Sequence, residues 1–298
     1  MEQTIFTTAQ ALAFLEGSDN HQPGKLAASV LIPDQPAAQY HADRAVLSCS
    51  MLKPLLVSPA HFQVAMRQYT PPSEAMQLGT AVHLMVLEPH HFARDVAVFP
   101  GIKDGRDGAY KQWATDNADR ILIDEPTLRT IRTMATRIQE RPYKGRALGD
   151  FLAESLREVS IYFTEPTTGV RLRVRLDALH PDLSLDLKTT RHQFAGAFIR
   201  DAVDLHYDLQ AFLYSAARAL WEGSTKPAPF VFAAIETDAP HSVSLVTAGE
   251  TFLHNGAAKL QRCLSLYAAC RQTEHWPATD EDVVAEIQPW QAFERKGI

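Results

Sequence analysis

The sequence has few cysteines, no excess of basic charge and no long apolar run, and each shortage removes a class of protein. The cysteines are three in 298 residues, Cys49, Cys263 and Cys270. They cannot all pair with one another and fall at no CxxC or Cys/His spacing, which disfavours disulfide frameworks, zinc fingers and four-cysteine iron–sulfur clusters. No stretch reaches the ~18 uninterrupted apolar residues of a membrane span. Met1–Phe14 lacks the basic-then-apolar order of a signal peptide, so a cytoplasmic protein without a membrane partner is expected. Lys and Arg number 29 against 35 Asp and Glu, a net charge of −6. No global basic field therefore marks a nucleic-acid binder, and such a role needs locally clustered cations. Internal repeats, low-complexity segments and a Walker-type G-x-x-x-x-G-K-[ST] are also missing, so nothing suggests ATP-driven motion. What is present is a chain 46% hydrophobic and 21% charged, enough for a large core in one big domain or two modest ones.

The first part reads mostly helical. Thr8 is an N-cap for Ala9–Glu16, with Gly17 as the stop. Pro, Gly, Asp and Gln from Ser18 to Ala45 predict a long irregular connection. Ser48 caps a short helix through Leu56, Ser58-Pro59 opens Ala60–Tyr69, and Glu74–Leu87 is an apolar helix closed by Pro89. Asp95–Phe99 has strand character, Gly101–Gly108 predicts a mobile loop, and Ala109–Ala118 reads as helix. Asp124-Glu125-Pro126 begins an amphipathic helix to Glu140 with Leu128, Ile131, Met134, Ala135 and Ile138 on one face.

After Leu156 the apolar period changes from helical to two. Glu158–Phe163 alternates, Glu165–Gly169 turns, Val170–Leu179 alternates again, Pro181-Asp182 turns, and Ser184–Thr189 makes a third strand, an antiparallel meander. Helices follow at Gln193–Val203 and Tyr207–Trp221, then strands at Phe230–Glu236 and Ser242–Thr247 and a helix at Glu250–Arg271. The predicted class is α/β, a mixed sheet flanked by helices, with a helical N-terminal part.

On the second meander strand, period two puts Val170, Leu172, Val174 and Leu176 on one face, and Arg171, Arg173, Arg175 and Asp177 on the other. On the third, Asp186 and Lys188 project together, opposite Leu185 and Leu187. On the first, Glu158 shares a face with Ser160 and Tyr162. Carboxylates converging at neighbouring strands repel unless a cation holds them, and hard oxygen ligands suit Mg²⁺ or Mn²⁺. Such an ion with a nearby lysine suits phosphodiester hydrolysis. Cross-strand ion pairs on a solvated face explain the same residues, and the meander alone leaves both readings open.

The ordered set Gly79-Thr-Ala-Val-His83, Asp177, Asp186-Leu-Lys188 and Gln210-Ala-Phe-Leu-Tyr214 resembles the PD-(D/E)XK nucleases, in particular their RecB-like branch. Within that superfamily, Arg175-Leu-Asp177, Asp186-Leu-Lys-Thr-Thr190 and Tyr207-Asp-Leu-Gln210 are similar to the RecE-type exonucleases of phage and prophage recombination. The resemblance runs from about Ser48 to Tyr267. It implies a restriction-endonuclease-like core in a single nuclease domain, with 48–270 as that core and 1–47 as an N-terminal extension.

Carried over residue by residue, the resemblance implies that Asp177 and Asp186 bind metal through carboxylates, Leu187 through its carbonyl and His83 through imidazole. Lys188 positions or activates water, Gln210 orients the lysine or the water, and Glu158 is a metal-associated or supporting acid. Arg171, Arg173 and Arg175 are expected to contact DNA phosphates or to pair with Glu158 and other acids, with Arg175 the most promising for function. Tyr207, Thr189, Lys103 and Arg106 are further DNA-side candidates, whereas Tyr214, Cys263 and Cys270 are expected to be core. The implied activity is Mg²⁺- or Mn²⁺-dependent 5′–3′ digestion of duplex DNA ends, leaving 3′ tails. The implied assembly is a homo-oligomeric ring, trimer or tetramer, working with a single-strand annealing protein. A RecB-like repair or CRISPR-associated nuclease of other polarity, and an inactive DNA-binding module of the same fold, are the rival expectations.

Overall fold

Apolar residues repeating at intervals of three to four build helices that must cover something, and those repeating at two build the sheet that they cover. The computed structural model describes residues 29–68 and 70–279; the expected helix Ala9–Glu16 lies outside them. The elements in chain order are β1 (Val30–Ile32), α1 (Ala37–Ala42), α2 (Cys49–Leu52) running into a 3₁₀ turn (Lys53–Leu56), α3 (Pro59–Arg67), α4 (Glu74–Leu87), α5 (Pro89–Asp95), β2 (Val96–Phe99), α6 (Gly108–Asp116), β3 (Ile121–Asp124) and α7 (Glu125–Glu140). A short hairpin, β4 (Pro142–Tyr143) and β5 (Arg146–Ala147), precedes α8 (Leu148–Glu154), β6 (Leu156–Thr164), β7 (Arg171–His180), β8 (Leu183–Thr190), α9 (Ala195–Asp204), α10 (Tyr207–Glu222), β9 (Phe230–Glu236), β10 (Val243–Thr247) and α11 (Glu250–Thr273).

Six strands form the main sheet in the order β1-β6-β7-β8-β9-β10. The β8–β9 pair is parallel, which α9 and α10 make possible by crossing over between them, and the other pairs are antiparallel. The class is α/β, as expected. The sheet divides two cores. Val159, Ile161, Leu172, Val174 and Leu176 pack with α10 and α11. On the other face Leu185, Leu187, Val231 and Ala233 pack with α4, α7 and α8. Burial on both faces is what gives a sheet of this kind its strength, because apolar area removed from water contributes about 25 cal/mol per Å². No helix among the described residues is long and apolar enough to cross a membrane.

Local signals explain the helix starts. The Asp124 carboxylate accepts from Thr127 N at 2.9 Å at the head of α7, and all five residues of its expected apolar face are buried. Ser73 caps α4 through Met76 N and Ser58 caps α3 through His61 N. Several expectations are corrected. Pro89, expected to close α4, also opens α5, because its fixed φ suits a first helical turn. The described part of the connection expected to be irregular holds β1 and α1. Three-residue β1 draws its ladder bonds from β6, a partner that no local pattern announces. Within Gly101–Gly108, Lys103 N donates to Asp124 Oδ2 at 3.0 Å. Cys263 and Cys270 are buried, as expected, and so is Cys49.

Candidate metal centre

The site forms where β7 and β8 part. Their ladder joins His180 to Leu183, Leu179 to Ser184 and Ala178 to Leu185, and goes no further. Two residues on along β8, Leu187 N donates not to a backbone carbonyl but to Asp177 Oδ2 at 2.7 Å. The carboxylate thus completes the bond that a paired strand would supply, and the opening beside it becomes a cleft of about 500 Å³. Across β7, the β6–β7 register omits the Glu158–Asp177 position, and Glu158 adopts φ 50°. This left-handed backbone costs a non-glycine residue of order 1 kcal/mol and turns Glu158 out of the regular pleat. Strict alternation also fails here: Leu176 and Leu179 belong to one core and Ala178 to the other.

Helix α4 supplies the next group. At Gly79 an added Cβ would lie 3.3 Å from Thr189 Oγ1. The glycine therefore lets α4 press on β8, and one turn later His83 reaches the strand. His83 Nε2 donates to Leu187 O at 2.9 Å, which leaves Nδ1 3.5 Å from Asp177 Oδ2. Burial lowers the imidazole pKa, so the ring is neutral at pH 7 and its Nδ1 lone pair is available. Ligand atoms of His83, Glu158 and Asp177 all lie within 4.8 Å of one another.

Two acids in this trio carry an electrostatic cost. Burial, then the Asp177 charge, lifts the Glu158 carboxyl to about 7, although Arg175 opposes the shift. Asp177 is raised in the same sense by burial and then by Asp186. Crowded, buried carboxylates beside a neutral imidazole suit a divalent cation, which would relieve both strains at once.

Asp186 stands to one side of that trio. Its carboxylate meets the Lys188 ammonium and accepts from Gln210 Nε2 at 2.6 Å. Burial pulls the lysine pKa down, but the Asp186 and Asp177 charges outweigh it and the net shift is upward, so Lys188 stays charged. Gln210, expected to orient the lysine or the water, donates to Asp186, the carboxylate that Lys188 meets. Leu187 O, implied as a ligand, accepts from His83 Nε2. Tyr207 lines the cleft beneath Lys188, whose Nζ lies 4.9 Å from the ring centroid.

The arginine ladder is where the expectations need most correction. Arg173 is 1% exposed, donates to Asp43 O and lies over the Tyr40 ring, so it has no surface to offer a phosphate. Arg175 is committed to Glu158 at 2.5 Å, with Glu88 at 3.9 Å, which decides between its two readings in favour of ion pairing. Only Arg171 of the three is exposed. Among the loop candidates, Lys103 pairs with Glu74 at 2.9 Å and Arg106 is exposed; neither lines the cleft, whereas Thr189 does. Tyr214 packs edge-on against Phe230, as expected. Sequence reasoning missed Lys53, Glu88 and Tyr40, all in the cleft wall; none sits in a periodic pattern or a spaced motif.

No curated protein matches this sequence. The fold is similar to a crystal structure from Eubacterium rectale described as a "putative exonuclease", with a TM-score of 0.50 at 14% identity over 84% of this chain and 96% of that one. Residues 48–287 match the family described as "PDDEXK-like domain of unknown function (DUF3799)". With the splayed strands, the D-x-K pair and the acid–histidine trio already in place, that match over most of the chain makes it a member of the DUF3799 family of PDDEXK-like domains.

Proposed function

We propose that this chain is a divalent-metal-dependent exonuclease of the RecE type, acting on duplex DNA ends in the 5′–3′ direction and leaving 3′ single-stranded tails. The observation that carries the reading is the meeting of His83, Glu158 and Asp177 within 4.8 Å, beside the Asp186–Lys188 pair and at one opening of the sheet. Mg²⁺ or Mn²⁺ held by that trio, with Asp186 adjoining, would neutralise charge on the scissile phosphate and lower the pKa of the attacking water.

The chain's own groups do the rest. Lys188 directs an ammonium N–H at the attacking water or a non-bridging phosphate oxygen, and Asp186 and Tyr207 hold that ammonium in place. Gln210 fixes the Asp186 carboxylate, and the Leu187 N–H fixes that of Asp177. Water adds to phosphorus, the P–O bond to the leaving strand breaks, and the leaving oxygen takes up a proton.

Residues 48–270 would carry this activity. A homo-oligomeric ring, trimer or tetramer, fits the net charge of −6, since a ring can line its channel with cations while its exterior stays acidic. A single-strand annealing protein is the partner that such a product calls for. The test is digestion of linear duplex DNA labelled at the 5′ or 3′ end, with Mg²⁺ or with EDTA, beside a covalently closed circle. Metal-dependent release of mononucleotides from the 5′ label with the circle spared is expected. Cutting of the circle, or attack from the 3′ end, would refute the RecE-type assignment, and binding without cleavage would refute the enzyme.

A further inference from the structure

The cleft contains one cation that the catalytic reading leaves unused. Three of its lining residues carry a permanent positive charge, and two are spent: Arg175 on Glu158 and Glu88, Lys188 on Asp186. The third is Lys53, from the 3₁₀ turn after α2. Its Nζ donates to a neutral acceptor, Leu205 O, at 2.7 Å and lies 5.2 Å from the centroid of the Tyr207 ring, and no carboxylate of the described residues is within ion-pair distance. Lys188 approaches the same ring at 4.9 Å. Two ammonium groups thus share one aromatic ring, and only one of them has an anion.

A single hydrogen bond to a carbonyl leaves two of the three N–H donors of an ammonium unused. Holding such a group in a partly buried wall costs desolvation that a neutral partner does not repay. An incoming phosphate would repay it. Taking the nuclease reading as its basis, we propose that Lys53 is a substrate-binding residue that holds a backbone phosphate next to the scissile one. It does so from the part of the cleft wall beside Leu205 and Tyr207, so that Lys53 grips the strand while Lys188 serves the reaction. Their shared contact with the Tyr207 ring keeps the two ammonium groups near one another and so ties the grip on the strand to the reacting end of the cleft.

The experiment compares wild type, Lys53→Met, which keeps the stem over Tyr207, and Lys53→Arg, which keeps the charge. Duplex digestion in Mg²⁺ is measured at several salt concentrations, with Mn²⁺ affinity and melting temperature followed in parallel. Lys53→Met is expected to raise KM about tenfold or more, as loss of a charge-assisted hydrogen bond does. It should also make the slope of log affinity against log salt shallower by about 0.7–0.9. Mn²⁺ affinity and melting should stay at the wild-type level, and Lys53→Arg should recover most of the KM.

Unchanged KM and salt slope in Lys53→Met, with wild type active, overturn the role of Lys53 alone. Loss of Mn²⁺ affinity or of melting temperature in that variant also overturns it, in favour of a structural role. A wild type that neither cleaves nor binds DNA refutes the nuclease reading and with it the phosphate assignment.

Discussion

Gly256 on α11 lies where no side chain fits. A Cβ there would stand 2.1 Å from Asp208 O, 2.6 Å from Asp208 C and 2.9 Å from Phe212 Cβ, backbone and packed side chain of α10. Ordinary contact begins near 3.4 Å, so Gly256→Ala forces the helices apart by about 1 Å in an interior packed like a crystal. Overpacking of that kind costs about 1–3 kcal/mol. The same displacement loosens the grip of α11 on Asp208, whose carboxylate is fully buried and held by Asn255 and by Lys259 Nζ at 2.8 Å. Breaking a buried pair adds a few kcal/mol more. The expected total is about 3–5 kcal/mol, or a fall of roughly 10 °C in melting temperature for a domain of this size. Urea titration and thermal melting read it directly. Gly108→Ala is the control, since a Cβ there meets nothing within 4 Å and helix propensity gains up to about 1 kcal/mol. A Gly256→Ala protein within ~1 kcal/mol of wild type would refute the described packing of α10 on α11.

Other perturbations separate the roles of neighbouring groups. Asp186→Ala should abolish cleavage while keeping the fold and much of the DNA affinity, read by digestion in excess Mg²⁺ and by binding in Ca²⁺; full activity would sink the site. Lys188→Met should keep Mn²⁺ binding in calorimetry and lose turnover, and normal turnover would exclude it from the chemistry. Arg173→Met should cost stability, about 2 kcal/mol or more for its lost buried partners, with no change in the salt dependence of DNA binding; a shallower salt slope would return it to the DNA interface. Metal-free protein should lose stability as pH rises. Glu158, at about 7 when folded against an ordinary 4.5, binds its proton more tightly in the native state. Its contribution is therefore present below about pH 4.5 and is lost as pH climbs through 7, worth up to about 3 kcal/mol. Melts in EDTA at pH 5 and 8 should show the fall, and Mn²⁺ should stabilise more at pH 8 than at pH 5; equal gains at both would contradict the acid trio.

Local chemistry made some of this legible before any fold was known. The α7 helix follows from a capping Asp124, a Pro126 in the first turn and one apolar stripe, all signals within 17 consecutive positions of the chain. The D-x-K pair follows from alternation along β8, which the parallel ladder to β9 keeps regular from Ser184 to Thr190. The same alternation places Asp177 opposite Leu176 and fails one residue later, where Ala178 and Leu179 fall in different cores beside the left-handed Glu158 of the adjoining strand, and nothing near residue 178 signals it. Arg173 looks solvent-facing beside Leu172 and Val174 until α1 lays Tyr40 over it, and α1 falls in a segment whose composition reads as loop. Lys53 is invisible for the opposite reason. Its environment is Tyr207 and Leu205, brought beside it only by the packing of α10.

The two cores on opposite faces of the sheet have a consequence for when the cleft can act. His83 arrives with α4 and the layer that packs on Leu187, while Gln210 and Tyr207 arrive with α10 and the layer that packs on Leu176. Neither layer alone assembles a metal ligand set together with its lysine and its clamp. On the proposed nuclease reading, the chemistry therefore depends on both layers at once, and a perturbation of either core reaches the site through a different set of residues.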